Sequence, residues 1–158
     1  MKKLVTKTFL VAVMSTVAIC ADNSLGTWKL DGAKSKYNDG TFPVKNLVMV
    51  REPLPSGGVK ITQTGERRDG TPLNSSYTAT YDGKDCTVTG TGSPFDKISI
   101  RQLDSNTFID ERRKATGWLL HATVRTVISK DGKTLNTTAT GTDVNGKSFS
   151  STLIHERQ

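Results

Sequence analysis

The sequence is poor in the residues that usually carry chemistry. It has two cysteines and two histidines in 158 residues. His121 and His155 are far apart and have no cysteine beside them, so neither a metal centre nor any other cofactor site is expected. Beyond the first twenty or so positions only Cys86 remains, and one thiol cannot form an internal disulfide; it is expected to act as a small packing residue. No apolar run after residue 21 is long enough to cross a bilayer as a helix. Basic clusters occur only at Arg67-Arg68 and Arg112-Arg113-Lys114, near turns and without interleaved aromatics. These are expected to be solvated tips, which argues against nucleic-acid binding. Serine, histidine and aspartate are present without a nucleophile-elbow context. Asp110 and Glu111, being neighbours on a strand, point to opposite faces and cannot act as a carboxylate pair. No catalytic constellation is recognisable, and His121 and His155 are expected to be half-buried strand residues with satisfied rings.

The N-terminus, "MKKLVTKTFLVAVMSTVAICA", pairs Lys2, Lys3 and Lys7 with an apolar run from Phe9 to Ile19 and a small-residue end. That is the pattern of an export signal, so residues 1–21 are expected to be a leader and 22–158 the mature domain, periplasmic or extracellular. Cys20 would be acylated in a lipid-anchored form, but Ile19 precedes it where that processing prefers a small residue. Without the three leader lysines the formal charge falls from +7 to +4.

The remainder of the chain is punctuated by tight-turn signals at Asp69-Gly70, Asp82-Gly83, Gly90 to Pro94, Asp104 to Asn106, Asp131-Gly132 and Asn145-Gly146. Such pairs favour the positive backbone angles of hairpins, and the runs between them are rich in Thr, Val, Ile and Tyr. The pattern predicts strands near 25–30, 45–52, 58–66, 73–82, 85–90, 95–103, 106–113, 117–129, 133–142 and 147–157. It predicts an irregular segment over 31–44. A sheet this long must close or leave exposed edges, so the expected fold is all-β: an antiparallel up-and-down meander barrel of about eight to ten strands. Alternation groups Gly26, Trp28 and Leu30 on one face, then Tyr77, Ala79 and Tyr81. In the last strand it groups Phe149, Leu153 and Arg157, with Ser151 and His155 between them. An arginine in phase with an apolar face needs a partner, and an aromatic ring can supply one.

Gly26-Thr27-Trp28 on the first strand and Arg157 on the last resemble the signature of the calycin superfamily, which includes lipocalins and fatty-acid-binding proteins. The Asp-Gly-Lys hairpins and the segment from Thr123 to Leu135 resemble small bacterial lipocalin-like domains. The resemblance covers residues 24 to 157. It implies that Trp28 plugs one barrel end while Arg157 packs across its ring and bonds the backbone near the start. Arg125, on the less apolar face of its strand, is the alternative arginine. The departures are specific. No Arg-x-Tyr stands on the last strand, because Ile154-His155-Glu156 precede a single arginine, and 31–44 lacks the pattern of a helical lid. Fatty-acid binding therefore does not carry over.

Small residues on the expected inward faces, with aromatics at 6% of the chain, imply space inside the barrel. The expected cavity lining is Tyr77, Tyr81, Thr137, Ala139, Phe149 and Leu153, and the expected function is binding of a small, mostly apolar molecule. The alternative is a structural or interaction protein of the cell envelope whose barrel is closed.

Overall fold

The structure, a computed structural model, describes residues 22–38, 43–114 and 119–158. The expected leader and Cys20 lie outside the described residues. Among the described residues eleven strands form: β1 (Gly26–Tyr37), β2 (Val44–Pro53), β3 (Val59–Arg67), β4 (Pro72–Ala79), β5 (Cys86–Thr87), β6 (Thr89–Thr91), β7 (Lys97–Gln102), β8 (Thr107–Arg113), β9 (Leu119–Ile128), β10 (Thr134–Asp143) and β11 (Ser148–Arg157). They make a single antiparallel sheet in the order β5-β7-β8-β9-β10-β11-β1-β2-β3-β4-β6. The sheet curls into a nearly closed barrel whose two edge strands, β5 and β6, are consecutive in the chain and joined by Val88.

The strand count exceeds the expected eight to ten because the run at 85–90 divides. Cys86 and Thr87 pair with β7, whereas Thr89, Gly90 and Thr91 pair with β4. Gly90 allows the crossing to β4. Its φ is +100°, and a Cβ there would lie 2.1 Å from the Asn74 carbonyl oxygen.

The expected irregular segment at 31–44 is also corrected, since β1 continues to Tyr37. Its pairing with β11 shifts between Asp31 and Lys36, and side chains hold that bulge. Asp31 Oδ1 accepts from the Ala33 and Lys34 amides, while Ser35 Oγ donates to the Asp31 carbonyl and accepts from the Ile154 amide.

Alternation along the strands directs one row of each into the barrel. The main core joins Trp28, Met49, Val59, Ile61, Tyr77, Ile98, Ile100, Phe108, Val124, Ile128 and Leu135. A smaller cluster of Leu30, Leu47 and Leu73 packs against Val44 and Leu153 on the β1–β4 side. Between these apolar groups the same inward rows carry polar residues, and that interruption locates the candidate site.

Candidate functional site

One barrel end is sealed. Trp28 is fully buried, and its indole N–H donates to the Ser24 carbonyl at 2.7 Å. The Arg157 guanidinium lies 4.2 Å from the Trp28 ring centroid. Its three nitrogens donate to the carbonyls of Gly132 (2.6 Å), Leu25 (2.6 Å) and Asn23 (2.8 Å). Gly26 makes room for it: its φ is +121°, and a Cβ would stand 2.6 Å from an Arg157 nitrogen. Arg125 points outward and is exposed, so it has no part in this contact.

The turn before β1 extends the seal. Asp22 Oδ1 accepts from the Ser24 amide and hydroxyl, and the Tyr81 hydroxyl donates to Asp22 Oδ2. Tyr81 was expected to line the cavity with Tyr77, on the face they share with Ala79. Instead β4 ends at Ala79, and Tyr81 takes a left-handed φ of 47° and packs on Phe108 with centroids 5.3 Å apart. Leaving the strand breaks the alternation that the expectation relied on. Burial, helped by the Asp22 carboxylate, pushes the Tyr81 hydroxyl above its usual range.

The other end opens into an apolar mouth of about 90 Å³, lined by Tyr37, Phe95, Ala139, Phe149 and Leu153 among others. Tyr37 and Phe149 stack with centroids 5.9 Å apart and planes 18° from parallel. Four of the expected lining residues, Thr137, Ala139, Phe149 and Leu153, therefore border it.

Below the mouth is a second space of about 50 Å³ whose lining includes Arg51, Gln63, Tyr77, Asp110, Thr126, Thr137 and His155. Arg112, Thr137 and Leu153 border both spaces, so the mouth and this polar floor adjoin. Ladder register builds the floor, placing Gln63 opposite Ser75 and Thr126 opposite Thr137. Tyr77 belongs to the floor, where burial pushes its hydroxyl up to about 12.

Two features of the floor correct the sequence reading. Arg112 is not a solvated tip: on β8 it shares the inward row with Phe108 and Asp110. Its terminal nitrogen donates to Asp110 Oδ2 at 2.7 Å, and its guanidinium sits 4.9 Å from the Phe95 centroid. Glu111 points the other way and bonds the exposed His121 at 2.7 Å.

His155 is not a half-buried residue with a satisfied ring. It is only 3% exposed, and neither ring nitrogen has a hydrogen-bond partner of good geometry among the described residues. Burial, with Arg112 adding to it and the Leu135 backbone offsetting only part, brings its pKa down to about 4. The imidazole is accordingly neutral at pH 7.

Arg51 was not singled out by the sequence reading. It is 7% exposed and lies 5.4 Å from the Phe108 centroid. Its Nε donates to Ser24 Oγ at 2.9 Å, but one terminal nitrogen is buried with no partner among the described residues. The available signal was its inward phase with Leu47 and Met49 on β2.

Compared with known proteins, the chain matches no family model and no curated protein. The reading of the site therefore rests on its own geometry.

Proposed function

We propose that this chain is an exported, calycin-like binding barrel, without catalytic activity, that takes up a small, mostly apolar molecule through its open end. The observation that carries this reading is the apolar mouth set directly above a polar floor inside a barrel sealed at the opposite end. On this reading β5 and β6 are two halves of one strand, and the sheet is an up-and-down circuit of the calycin kind with the Trp28–Arg157 plug as its seal. The competing reading is an envelope interaction module with a closed interior. It draws support from the modest size of both spaces, because ligand pockets commonly run to about 300 Å³ or more.

The two readings separate in a titration with 3-phenylpropanol, a guest of one ring and a short chain, followed by NMR. Binding should shift resonances of Ala139, Phe149 and Leu153, and Ala139→Trp should abolish those shifts while the protein remains folded. Shifts that survive Ala139→Trp, or that fall only on the outer face, would sink the cavity reading. Export is tested by intact mass of protein from the host's envelope or medium. The expected form begins near Asp22; retention of residues 1–21 without acylation overturns it, and a lipid-sized gain on Cys20 identifies an anchored form instead.

A further inference from the structure

Resting on the cavity reading, we infer that the guest is a small aromatic carboxylic acid, its carboxylate held by Arg51 and His155 on the barrel floor and its single ring filling the mouth. Both residues are more than nine-tenths buried, line the same space and have polar atoms without partners among the described residues. A buried donor left unsatisfied is costly, most of all one on a charged group, and native interiors rarely keep several together without a purpose. A carboxylate answers both needs: one oxygen accepts from the open Arg51 nitrogen and the other from the N–H of the neutral His155 ring.

The charges around the two spaces favour the same choice. Among the described residues Arg51, Arg67 and Arg112 line them against Asp110 as the one acidic lining residue, and Asp110 is already engaged by Arg112. Asp22 reaches Arg51 only through Ser24, and Asp69 stands 3.6 Å from Arg67 on a side chain that is itself 60% exposed. The site thus keeps excess positive charge in a low-dielectric interior, which disfavours a cationic guest.

Size restricts the apolar part. A cavity of about 150 Å³ takes up benzene, so adjoining spaces of about 90 and 50 Å³ suit one ring and a compact head better than a long acyl chain. The Tyr37, Phe95 and Phe149 rings at the mouth offer that ring stacked or edge-on contacts.

The test compares 3-phenylpropanoate, 3-phenylpropanol and 3-phenylpropylamine by calorimetry on the purified protein at pH 7. These carry the same ring and chain with an anionic, neutral or cationic end. The acid should bind at least about tenfold more tightly than the alcohol, the gain expected of a charge-assisted hydrogen bond, and the amine should bind more weakly than both. Arg51→Met should bring the acid down to about the affinity of the alcohol, weakening the acid by a much larger factor than the alcohol. Equal affinity of acid and alcohol, or tightest binding of the amine, overturns the inference but leaves the cavity standing. Binding by none of the three overturns the cavity reading with it. Because the wild-type series is informative alone, the result does not depend on Arg51→Met folding.

Discussion

The sealed end and the floor of this barrel each set an arginine against an aromatic ring, exposed at the seal and buried on the floor, and they treat it in opposite ways. At the seal, all three guanidinium nitrogens of Arg157 donate to backbone carbonyls and the ring of Trp28 lies beneath them. On the floor, Arg51 has a terminal nitrogen and His155 both ring nitrogens without a partner among the described residues. A fully satisfied polar group fixes one structure, whereas a buried unsatisfied one reduces stability and is tolerated where something else is gained. On the proposed function, the difference assigns stability to the end with Trp28 and recognition to the floor beneath the mouth. The two regions should therefore fail differently when perturbed.

The largest effect is expected at the seal. Trp28→Ala removes a fully buried ring and should cost about 3–5 kcal/mol, a large share of a domain stability of about 5–15 kcal/mol. Arg157→Ala should cost less, through one ring contact of about 0.5–2 kcal/mol and the lost carbonyl bonds. The double variant should be less destabilised than the sum of the singles, because without the ring the arginine has less to lose. Strict additivity in denaturant unfolding would detach the two residues and with them the plug.

The next effect is expected on the floor, and acid reveals it. His155 has a folded pKa of about 4 against an ordinary 6.5, so the folded state resists protonation while the unfolded chain accepts it. Its contribution is fully present above pH 6.5 and is lost progressively as pH falls to about 4. The loss is about 3 kcal/mol over that window. The groups facing it across the floor are Arg51, Arg112, Asp110 and Tyr77, so a third positive charge arrives beside two existing ones. Carboxylates elsewhere also titrate, which is why the measurement is a difference. Denaturation midpoints of wild type and His155→Leu at pH 7, 5 and 4 should converge or cross, the variant losing less. Parallel acid curves would show that His155 titrates normally and is not held in a desolvated floor.

How much of this was legible in sequence follows from the range of each signal. Alternation is local, so it put Trp28 with Leu30 and His155 with Leu153, and the turn dipeptides gave most strand limits. The β1 bulge was not legible. It depends on Asp31 and Ser35 bonding backbone groups, one of them on β11, over a hundred residues away, and a polar stretch reads equally well as a loop. Arg112 was misread for a related reason. Next to Arg113 and Lys114 it looks like charge at a turn, and only the approach of Phe95 and the inward row of β8 make it an interior residue. The floor is the clearest case. Arg51, Gln63, Asp110, Thr126, Thr137 and His155 come from six strands. No window of sequence contains more than one or two of them, so register alone brings them to one level.

The smallest stability effect is expected at the mouth, where the comparison can be made ring against ring. Phe149 is half-buried, stacks on Tyr37 and borders the mouth at the edge of the main core. Phe149→Ala should cost about 1–2 kcal/mol, from partial burial and one aromatic pair. That is well below the cost of Trp28→Ala although both changes delete an aromatic side chain. Its effect on binding should be the more informative. Removing one wall of the mouth weakens contacts to the ring of any guest, whatever its head group, so 3-phenylpropanoate and 3-phenylpropanol should lose affinity by a similar factor. The preference for the acid should persist, because Arg51 and His155 are untouched. Loss of the preference together with the affinity would mean that the head group is selected at the mouth, where Arg67 and Arg112 also lie, and the division between an apolar mouth and a selective floor would have to be redrawn.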